Sequence, residues 1–132
     1  MKYMLDTNII IYAKSKSSEE VLKRFKRYSP HDMCISSITL AELEYGVEKS
    51  SKPTQNRLAL MVFLSNIEVM PFECKAAAEY GRIRSNLEKK GQLIGANDML
   101  IAAHAKSLSL TLITNNTREF SRVEGLMLED WV

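Results

Sequence analysis

The sequence predicts an α/β protein: a single domain with a central, mostly parallel sheet of four to five strands and helices on both faces. Short β-rich segments alternate with segments of helical periodicity, and this alternation favours a parallel sheet because each crossover helix covers a face. The chain has 132 residues, of which 45% are hydrophobic and 26% charged. That length suits one domain over residues 1–132, and the composition is ordinary for a globular protein.

Five segments are predicted as strands because they are short and rich in apolar or β-branched residues. They cover residues 2–5, 33–36, 67–72, 110–114 and 126–131. The last of them carries the weakest strand pattern.

Helical periodicity fills the intervals between these strands. Four apolar stripes indicate helices that face a core: Val21, Leu22, Phe25 and Tyr28; Leu40, Leu43 and Val47; Ala76, Tyr80, Ile83 and Leu87; and the apolar face of residues 98–107. Gly91 is predicted to end the third of these helices as its C-cap. Residues 57–64 are apolar almost all round, which predicts a helix buried in the core, with a subunit contact as the alternative.

The bulk properties exclude several classes of protein. The net charge of +2 permits an anionic partner but does not require one. The two cysteines, Cys34 and Cys74, cannot form a disulfide framework, and we interpret both as buried thiols in a reducing compartment. No apolar run approaches the roughly 20 residues of a membrane span. Asp6 interrupts the apolar run near residue 1, so that run does not have the pattern of a signal peptide. We therefore expect a cytoplasmic protein with no membrane partner.

Three carboxylates stand at positions where a structural role and a chemical role are both open. Asp6 interrupts an apolar run at the end of the first strand, where an Asx-turn is the structural alternative. Glu42 follows Thr39 in the spacing of a capping box and also lies just after the second strand. Asp98 opens an apolar helix face, although Asn97 or Asp98 itself could serve as a helix cap.

A fourth polar segment follows the strand at 110–114. It contains Asn115 and Asn116, with Glu119 one turn later, and turn chemistry alone accounts for the asparagines. Ligands of open α/β sheets bind outside the carboxyl ends of the strands, where these acids are predicted to meet. Several close carboxylates stay ionised only if a cation shares the site, and oxygen ligands suit Mg²⁺ or Mn²⁺. Such sites serve phosphoryl chemistry.

The pattern resembles the PIN-domain ribonucleases and, within them, the VapC toxins of bacterial toxin–antitoxin pairs. The residues that carry the resemblance are "MLDTNIIIY" at the start, "CISSITLAELEYGVEKS" at 34–50, "GQLIGANDMLIAAHAKSLSLTLITNNTREFSRV" at 91–123 and "EDWV" at the end. These segments cover more than half of the chain in the family's order. Residues 51–90 match least.

The resemblance implies a metal-dependent endonuclease that hydrolyses RNA and leaves a 5′-phosphate and a 3′-hydroxyl. It assigns Asp6, Glu42 and Asp98 as ligands of Mg²⁺, or of Mn²⁺. Many members have an aspartate where this chain has Asn116, and here Glu119 is expected to supply the fourth catalytic carboxylate. Supporting residues that hold the acids in place are expected to be Thr7, Asn8, Ser37, Thr114 and Asn116.

The resemblance also implies partners. These are a second copy in a homodimer, a cognate VapB-type antitoxin in a higher assembly, and DNA only through that antitoxin. The expected substrate is structured RNA, with the anticodon stem-loop of initiator tRNA as the first choice. An acidic pocket repels phosphates, so basic side chains must hold the RNA backbone. The candidates are Arg82, Arg84, Lys89, Lys90 and Arg118, with Lys49 and Arg122 as further ones.

His104 and the aromatic residues are not predicted to take part in the site. His104 follows Asp98 by six positions and so turns away from the acid face, which predicts a packed or hydrogen-bonded histidine. No aromatic RNA-stacking motif is visible. The alternative function is a PIN module that has weakened catalysis and only binds RNA or antitoxin, and Asn116 is the feature in its favour.

Overall fold

Five parallel strands form one sheet in the order β3-β2-β1-β4-β5. The computed structural model describes residues 1–15, 23 and 27–131, with the backbone only for residues 12–15. The strands are β1 (Tyr3–Leu5), β2 (Met33–Ser36), β3 (Glu68–Met70), β4 (Thr111–Ile113) and β5 (Leu128–Glu129). The predicted fold class is confirmed, and most strands are shorter than predicted.

Side chains alternate between the two faces of the sheet, and both faces are buried. Met4, Cys34 and Leu112 belong to one core cluster, whereas Leu5 and Ile113 belong to the other. The central strand β1 lies between β2 and β4, and the strand order reverses there. A crevice therefore opens beyond the carboxyl ends of β1 and β4, which is where open α/β sheets bind ligands.

Helices connect the strands and cover both faces. They are α1 (Thr7–Ser15), α2 (Ser37–Lys49), α3 (Pro53–Leu64), α4 (Cys74–Lys89), α5 (Ala96–Ser107) and the short α6 (Thr117–Phe120), with a 3-10 turn at Pro30–Asp32. The stripe predicted at Val21, Leu22 and Phe25 lies outside the described residues. No described helix is long and apolar enough to cross a membrane.

The buried faces of these helices follow the predicted stripes. On one face of the sheet, α4 contributes Ile83 and Leu87, and α5 contributes a row of small residues around Ala102. On the other face, Leu43 and Val47 of α2 pack with α1 and α3. Small side chains let α5 approach the sheet closely. Because the helix is buried against the sheet, its first turn is held in a defined position.

Aromatic rings close the second core near the amino end of β1. Trp131 stacks on Tyr28 with ring centroids 5.3 Å apart and meets Tyr3 edge-on at 5.4 Å. Trp131 is buried although it is the penultimate residue of the chain. The carboxyl terminus is thereby tied to the first strand.

Two helix ends use a left-handed residue. Gly91 has φ +62° and its N–H donates to the Glu88 carbonyl, while Gln92 N–H donates to the Leu87 carbonyl. This is the Schellman motif, and the predicted C-cap role of Gly91 is confirmed. Ser109 adopts the same conformation after α5 with φ 56°, which costs a non-glycine residue more than it costs glycine.

The helix at 57–64 is not buried as predicted. Leu60 faces the core, but Leu58, Met61 and Val62 are 59%, 60% and 67% exposed. A helix that is apolar all round has more apolar surface than one contact with the sheet layer can cover, so the sequence pattern alone did not say which face stays outside. The alternative, a contact with another subunit, stays a prediction.

Three local expectations are also wrong. The N-cap of α2 is Ser36, whose Oγ accepts the Ile38 N–H at 3.0 Å, so Thr39 and Glu42 do not form a capping box. The N-cap of α5 is Gly95, without a side-chain cap bond, rather than Asn97 or Asp98. Cys74 begins α4 on the surface, and only the thiol of Cys34 is buried.

Candidate metal centre at the carboxyl edge of the sheet

Asp6 follows β1 directly and is held by both of its carboxylate oxygens. Thr7 N–H donates to Oδ1 at 2.8 Å, and the Thr114 hydroxyl donates to Oδ2 at 2.8 Å. Asp6 is 3% exposed, and Thr114 at the end of β4 is fully buried. A turn role does not account for these contacts, because Oδ2 is bonded to the neighbouring strand. The carboxylate therefore bridges the two strands at the crevice.

Glu42 lies in the second turn of α2 and reaches the same edge. Its Oε1 accepts the Thr7 hydroxyl at 2.7 Å, while the Thr7 backbone bonds Asp6. One threonine therefore orients two carboxylates, which is how supporting residues tune a metal site.

Asp98 lies in the first turn of α5 and is half-buried. It accepts no hydrogen bond from any residue that the structure describes. Burial, followed by the negative charges of Asp6, Glu42 and Glu119, raises the pKa of Asp98 to about 6. Burial also raises the pKa of Asp6, as does the charge of Glu42, although its bonds to Thr114 and Thr7 act in the opposite direction. Asp6, Glu42 and Glu119 thus lie near enough to Asp98 for their charges to act on it.

Asn116 and Glu119 complete the edge after β4. Asn116 Nδ2 donates to Glu119 Oε2 at 3.2 Å, and Asn116 N–H donates to the Thr114 hydroxyl oxygen at 3.0 Å. The same hydroxyl donates to Asp6, so a chain of hydrogen bonds runs from Glu119 to Asp6. Asn116 therefore positions an acid even though it is not one.

The other predicted supporting residues are placed differently. Asn8 lines the crevice beside Asp6. The Ser37 hydroxyl oxygen accepts the Phe72 N–H at 3.1 Å, so Ser37 fastens α2 to the segment after β3. The structure gives it no hydrogen bond to the carboxylates among the residues it describes.

Most predicted RNA-binding residues lie away from the crevice. Arg82 pairs with Glu79 at 2.8 Å, Arg84 pairs with Glu88 at 3.0 Å, and Lys90 pairs with Glu124. Lys89 is exposed at the end of α4, and Arg118 is exposed on α6. None of these five lines the cavity that contains the carboxylates.

That cavity has a volume of about 710 Å³ and runs from the carboxylates along α1 and α2. Asp6, Glu42 and Asp98 line one part, and Tyr45 and Lys49 line another. Tyr45 could not be identified from the sequence as a residue that lines the cavity, since spacing alone does not tell an exposed tyrosine from a buried one.

The donor chemistry of the site fits a hard divalent cation. All four acids offer oxygen, and no described Lys or Arg forms an ion pair with Asp6, Glu42 or Asp98. Within the described ranges, no three carboxylate, His or Cys side chains lie close enough together to bind one ion at once. Mg²⁺ keeps several waters and takes one or two carboxylates directly, so it does not need a closed protein cage.

His104 lies behind the site and is packed, as predicted. Its Nδ1 lies 2.7 Å from Ser36 Oγ, the cap of α2, and it bonds the Pro71 carbonyl. Burial lowers the pKa of His104, which keeps the ring neutral. The histidine ties the helix that carries Asp98 to the start of the helix that carries Glu42.

Comparisons with known proteins identify the family and the fold. Residues 3–126 match the PIN domain family. The chain is 49% identical to ribonuclease VapC2 of Haemophilus influenzae over 132 residues, covering 100% of this chain and 99% of that protein. It is 46% identical to the tRNA(fMet)-specific endonuclease VapC of Shigella flexneri over 131 residues, covering 99% and 98%. The crystal structure of VapBC2 from Rickettsia felis bound to a promoter DNA fragment contains a similar chain, with TM-score 0.93, 46% identity and full coverage of both.

Proposed function

The chain belongs to the PIN-domain family, and from that membership we propose that it is a metal-dependent endoribonuclease toxin restrained by a VapB-type antitoxin. The observation that carries the proposal is the meeting of Asp6, Glu42 and Asp98 with Glu119, free of basic partners among the described residues, at the sheet's carboxyl edge. Relatives that share nearly half of its residues over their whole length are named ribonucleases. Acids in this arrangement are costly to a fold that does not use them.

The protein's own residues organise the proposed hydrolysis. Mg²⁺, or Mn²⁺, when bound supplies Lewis acidity and lowers the pKa of water. Asp6, Glu42 and Asp98 are its proposed ligands, one or two of them directly and the others through waters of the ion, and Thr7 and Thr114 hold the first two in place. Glu119, which accepts a hydrogen bond from Asn116, is the proposed acceptor of the proton of the attacking water. The water oxygen bonds to phosphorus and the bond from phosphorus to the 3′-oxygen breaks. The 3′-oxygen takes a proton from solvent, which leaves a 3′-hydroxyl and a 5′-phosphate.

The proposed substrate is initiator tRNA, cut in its anticodon stem-loop. The name of the Shigella relative supports this choice. The proposed partners are a second copy of the chain and a VapB-type antitoxin, and the VapBC2 complex from Rickettsia supports the antitoxin. The antitoxin, rather than this chain, is proposed to bind DNA. The proposed location of the protein is the cytoplasm.

A second candidate is a PIN module that binds RNA or antitoxin without efficient cleavage. Asn116 favours it, since an amide replaces a carboxylate there. The hydrogen bond from Asn116 to Glu119 favours the nuclease, because it brings another acid to the same edge.

The test is cleavage of purified initiator tRNA by antitoxin-free protein, with Mg²⁺ and with EDTA. Asp6→Asn removes a proposed ligand charge, and Glu68→Gln is the matched control at the start of β3, on an exposed position. We expect discrete fragments with the wild type and Glu68→Gln, and none with EDTA or Asp6→Asn. Cleavage that survives in Asp6→Asn would refute the site. Tight RNA binding without cleavage by the folded wild type would favour the binding module.

A further inference from the structure

An exposed aromatic ring stands beside the carboxylates. Tyr45 is 66% exposed, and it is the only aromatic side chain in the described part of the chain that is so exposed. It follows Glu42 by three positions on α2, so the two side chains share a face of the helix. Both line the same cavity. A large ring kept in water next to a catalytic site calls for a ligand, because burying it elsewhere would stabilise the fold.

A cation lies one turn further along the same face. Lys49 Nζ is 5.1 Å from the centroid of the Tyr45 ring, within cation–π range. Among the residues that the structure describes, Lys49 is the only basic one that lines this cavity. Its ammonium covers one face of the ring at most, so the other face is available for stacking.

The neighbouring acids do not neutralise Lys49. Glu44 and Glu48 bind Arg57 of α3 at 2.9 and 2.7 Å, on another side of α2. No ion pair joins Lys49 to an acid among the residues that the structure describes. The lysine is therefore an available positive charge at the far end of a cavity whose near end is acidic.

We propose that Tyr45 and Lys49 form a subsite for the single-stranded RNA segment next to the bond that is cut. Tyr45 stacks on a base, and Lys49 binds a phosphate of the same segment. Lys49 follows Glu42 by seven positions, about 10 Å along the helix axis. That length equals about three stacked bases at 3.4 Å each. The proposal rests on the proposed nuclease function and extends it to the path of the substrate.

The chemistry of the cavity favours RNA as the occupant. Proteins that hold single strands combine aromatic stacking with a cation that tracks the backbone, and both elements are present. Ile11, 53% exposed, adds apolar surface to the same cavity. The carboxylates repel phosphates, so an anionic strand needs an attractive charge beyond them, which Lys49 supplies. A segment of the antitoxin is the competing occupant, and the experiment separates the two.

The experiment measures binding of a fluorescein-labelled initiator tRNA anticodon stem-loop by anisotropy with Mg²⁺. The full-length protein carries Asp6→Asn so that the probe stays intact. We expect Tyr45→Ala to raise the Kd about tenfold and Tyr45→Phe to leave it unchanged, because phenylalanine keeps the ring. Lys49→Gln is expected to raise the Kd and to lower the salt slope of log K by about 1. Lys75→Gln, an exposed lysine on α4, is the matched control.

The same substitutions in the wild-type background test catalysis. We expect a raised KM with an almost unchanged kcat, since the subsite binds substrate and transition state equally. Thermal unfolding of each variant checks that it is folded, and Lys49→Arg is expected to restore the salt slope.

Several outcomes would overturn the subsite. One is equal RNA binding by Tyr45→Ala, Lys49→Gln and the control. Another is loss of binding only to a peptide of the antitoxin's carboxyl-terminal segment, which would make the cavity a protein-docking site. If the wild type does not cleave RNA but binding still depends on Tyr45 and Lys49, the nuclease proposal fails and the subsite stands.

Discussion

Asp6 and Asp98 meet in one crevice but are held in opposite ways. At the end of β1, Asp6 is buried and each oxygen accepts a hydrogen bond from a threonine. In the first turn of α5, Asp98 is half-exposed and accepts no hydrogen bond from the described residues. Both have a raised pKa because burial disfavours their charge, and for Asp98 three further acids add to the effect.

This contrast shows that the sheet and the helix hold their carboxylates in different ways. The sheet supplies the partners of Asp6, so this carboxylate keeps its place without any ion. The position of Asp98 is fixed by the backbone of a buried helix, while its charge is left without compensation. Asp98 is therefore the residue whose energy changes most when a cation arrives.

The largest effect is expected for Asp98→Asn compared with Asp6→Asn. Each substitution is expected to lower kcat/KM for tRNA cleavage by at least about 100-fold, because each removes charge that stabilises the transition state. In EDTA the two variants should differ in their midpoints of thermal unfolding. Asp98→Asn should raise the midpoint of thermal unfolding, since it relieves repulsion, and Asp6→Asn should not, since an amide cannot accept both threonine bonds.

Calorimetric scans with and without Mg²⁺ check this contrast. A ligand that binds only the native state raises stability by about 2.7 kcal/mol at 100 times its Kd. Wild type should show such an Mg²⁺-dependent gain, and Asp98→Asn should lose most of it. Equal unfolding midpoints for the two variants in EDTA would contradict the division of roles.

The second effect concerns the threonine that holds Asp6. Thr114→Val should lower the free energy of unfolding by about 1–3 kcal/mol, because Asp6 Oδ2 and the Asn116 N–H lose their partner in a buried place. Thr39→Val is the matched control, since the buried Thr39 hydroxyl has no hydrogen-bond partner among the described residues. It should be neutral or stabilising. Urea unfolding measures both, and equal losses would count against the role of Thr114.

A third substitution makes the edge more acidic. Asn116→Asp removes the amide that donates to Glu119 and adds a negative charge beside that carboxylate. We expect metal-free stability to fall by about 1 kcal/mol and Mn²⁺ affinity to rise several-fold, because ligand charge raises affinity. Isothermal titration calorimetry measures the affinity, with Asn115→Asp as the control for net charge. Weaker Mn²⁺ binding by Asn116→Asp would show that Asn116 itself is the better ligand.

The smallest effect is a pH dependence. An acid whose folded pKa, about 6, exceeds its unfolded value of about 3.9 takes up protons on folding between these values. The contribution of Asp98 to stability therefore falls as the pH rises through that window and stays low above it. Urea unfolding in EDTA from about pH 4 to pH 7 should show Asp98→Asn gaining on the wild type up to about pH 6. A constant difference would mean that Asp98 titrates normally.

The sheet and the location of the acids could be predicted from the sequence. Apolar runs with polar ends place residues such as Asp6 at the carboxyl end of a strand, and that end is the ligand-binding edge of any open parallel sheet. The stripes of α2 and α4 were equally informative, because a helix that packs on a sheet must repeat its apolar residues every three to four positions.

What the sequence did not show depends on neighbours that are distant in the chain. The spacing of Thr39 and Glu42 matches a capping box, but Ser36 takes the cap and Thr7 takes the glutamate. Local spacing cannot rank a local bond against one across 35 residues. Likewise, nothing in the pattern of α3 or around Tyr45 indicates which apolar groups stay in water.

β1 lies in the centre of the sheet, so the order in which its neighbouring strands are synthesised determines when the edge around Asp6 can form. β1 pairs with β2 across about 30 residues and with β4 across 108, and the Asp6–Thr114 bond spans the longer interval. Closing the longer loop costs roughly 1 kcal/mol more than closing the shorter one. A ribosome delivers the amino-terminal part first, so a growing chain that already contains Asp6 and Glu42 still lacks the strand that fixes Asp6. The edge of the sheet around Asp6 is therefore completed only after the residues of β4 have been synthesised.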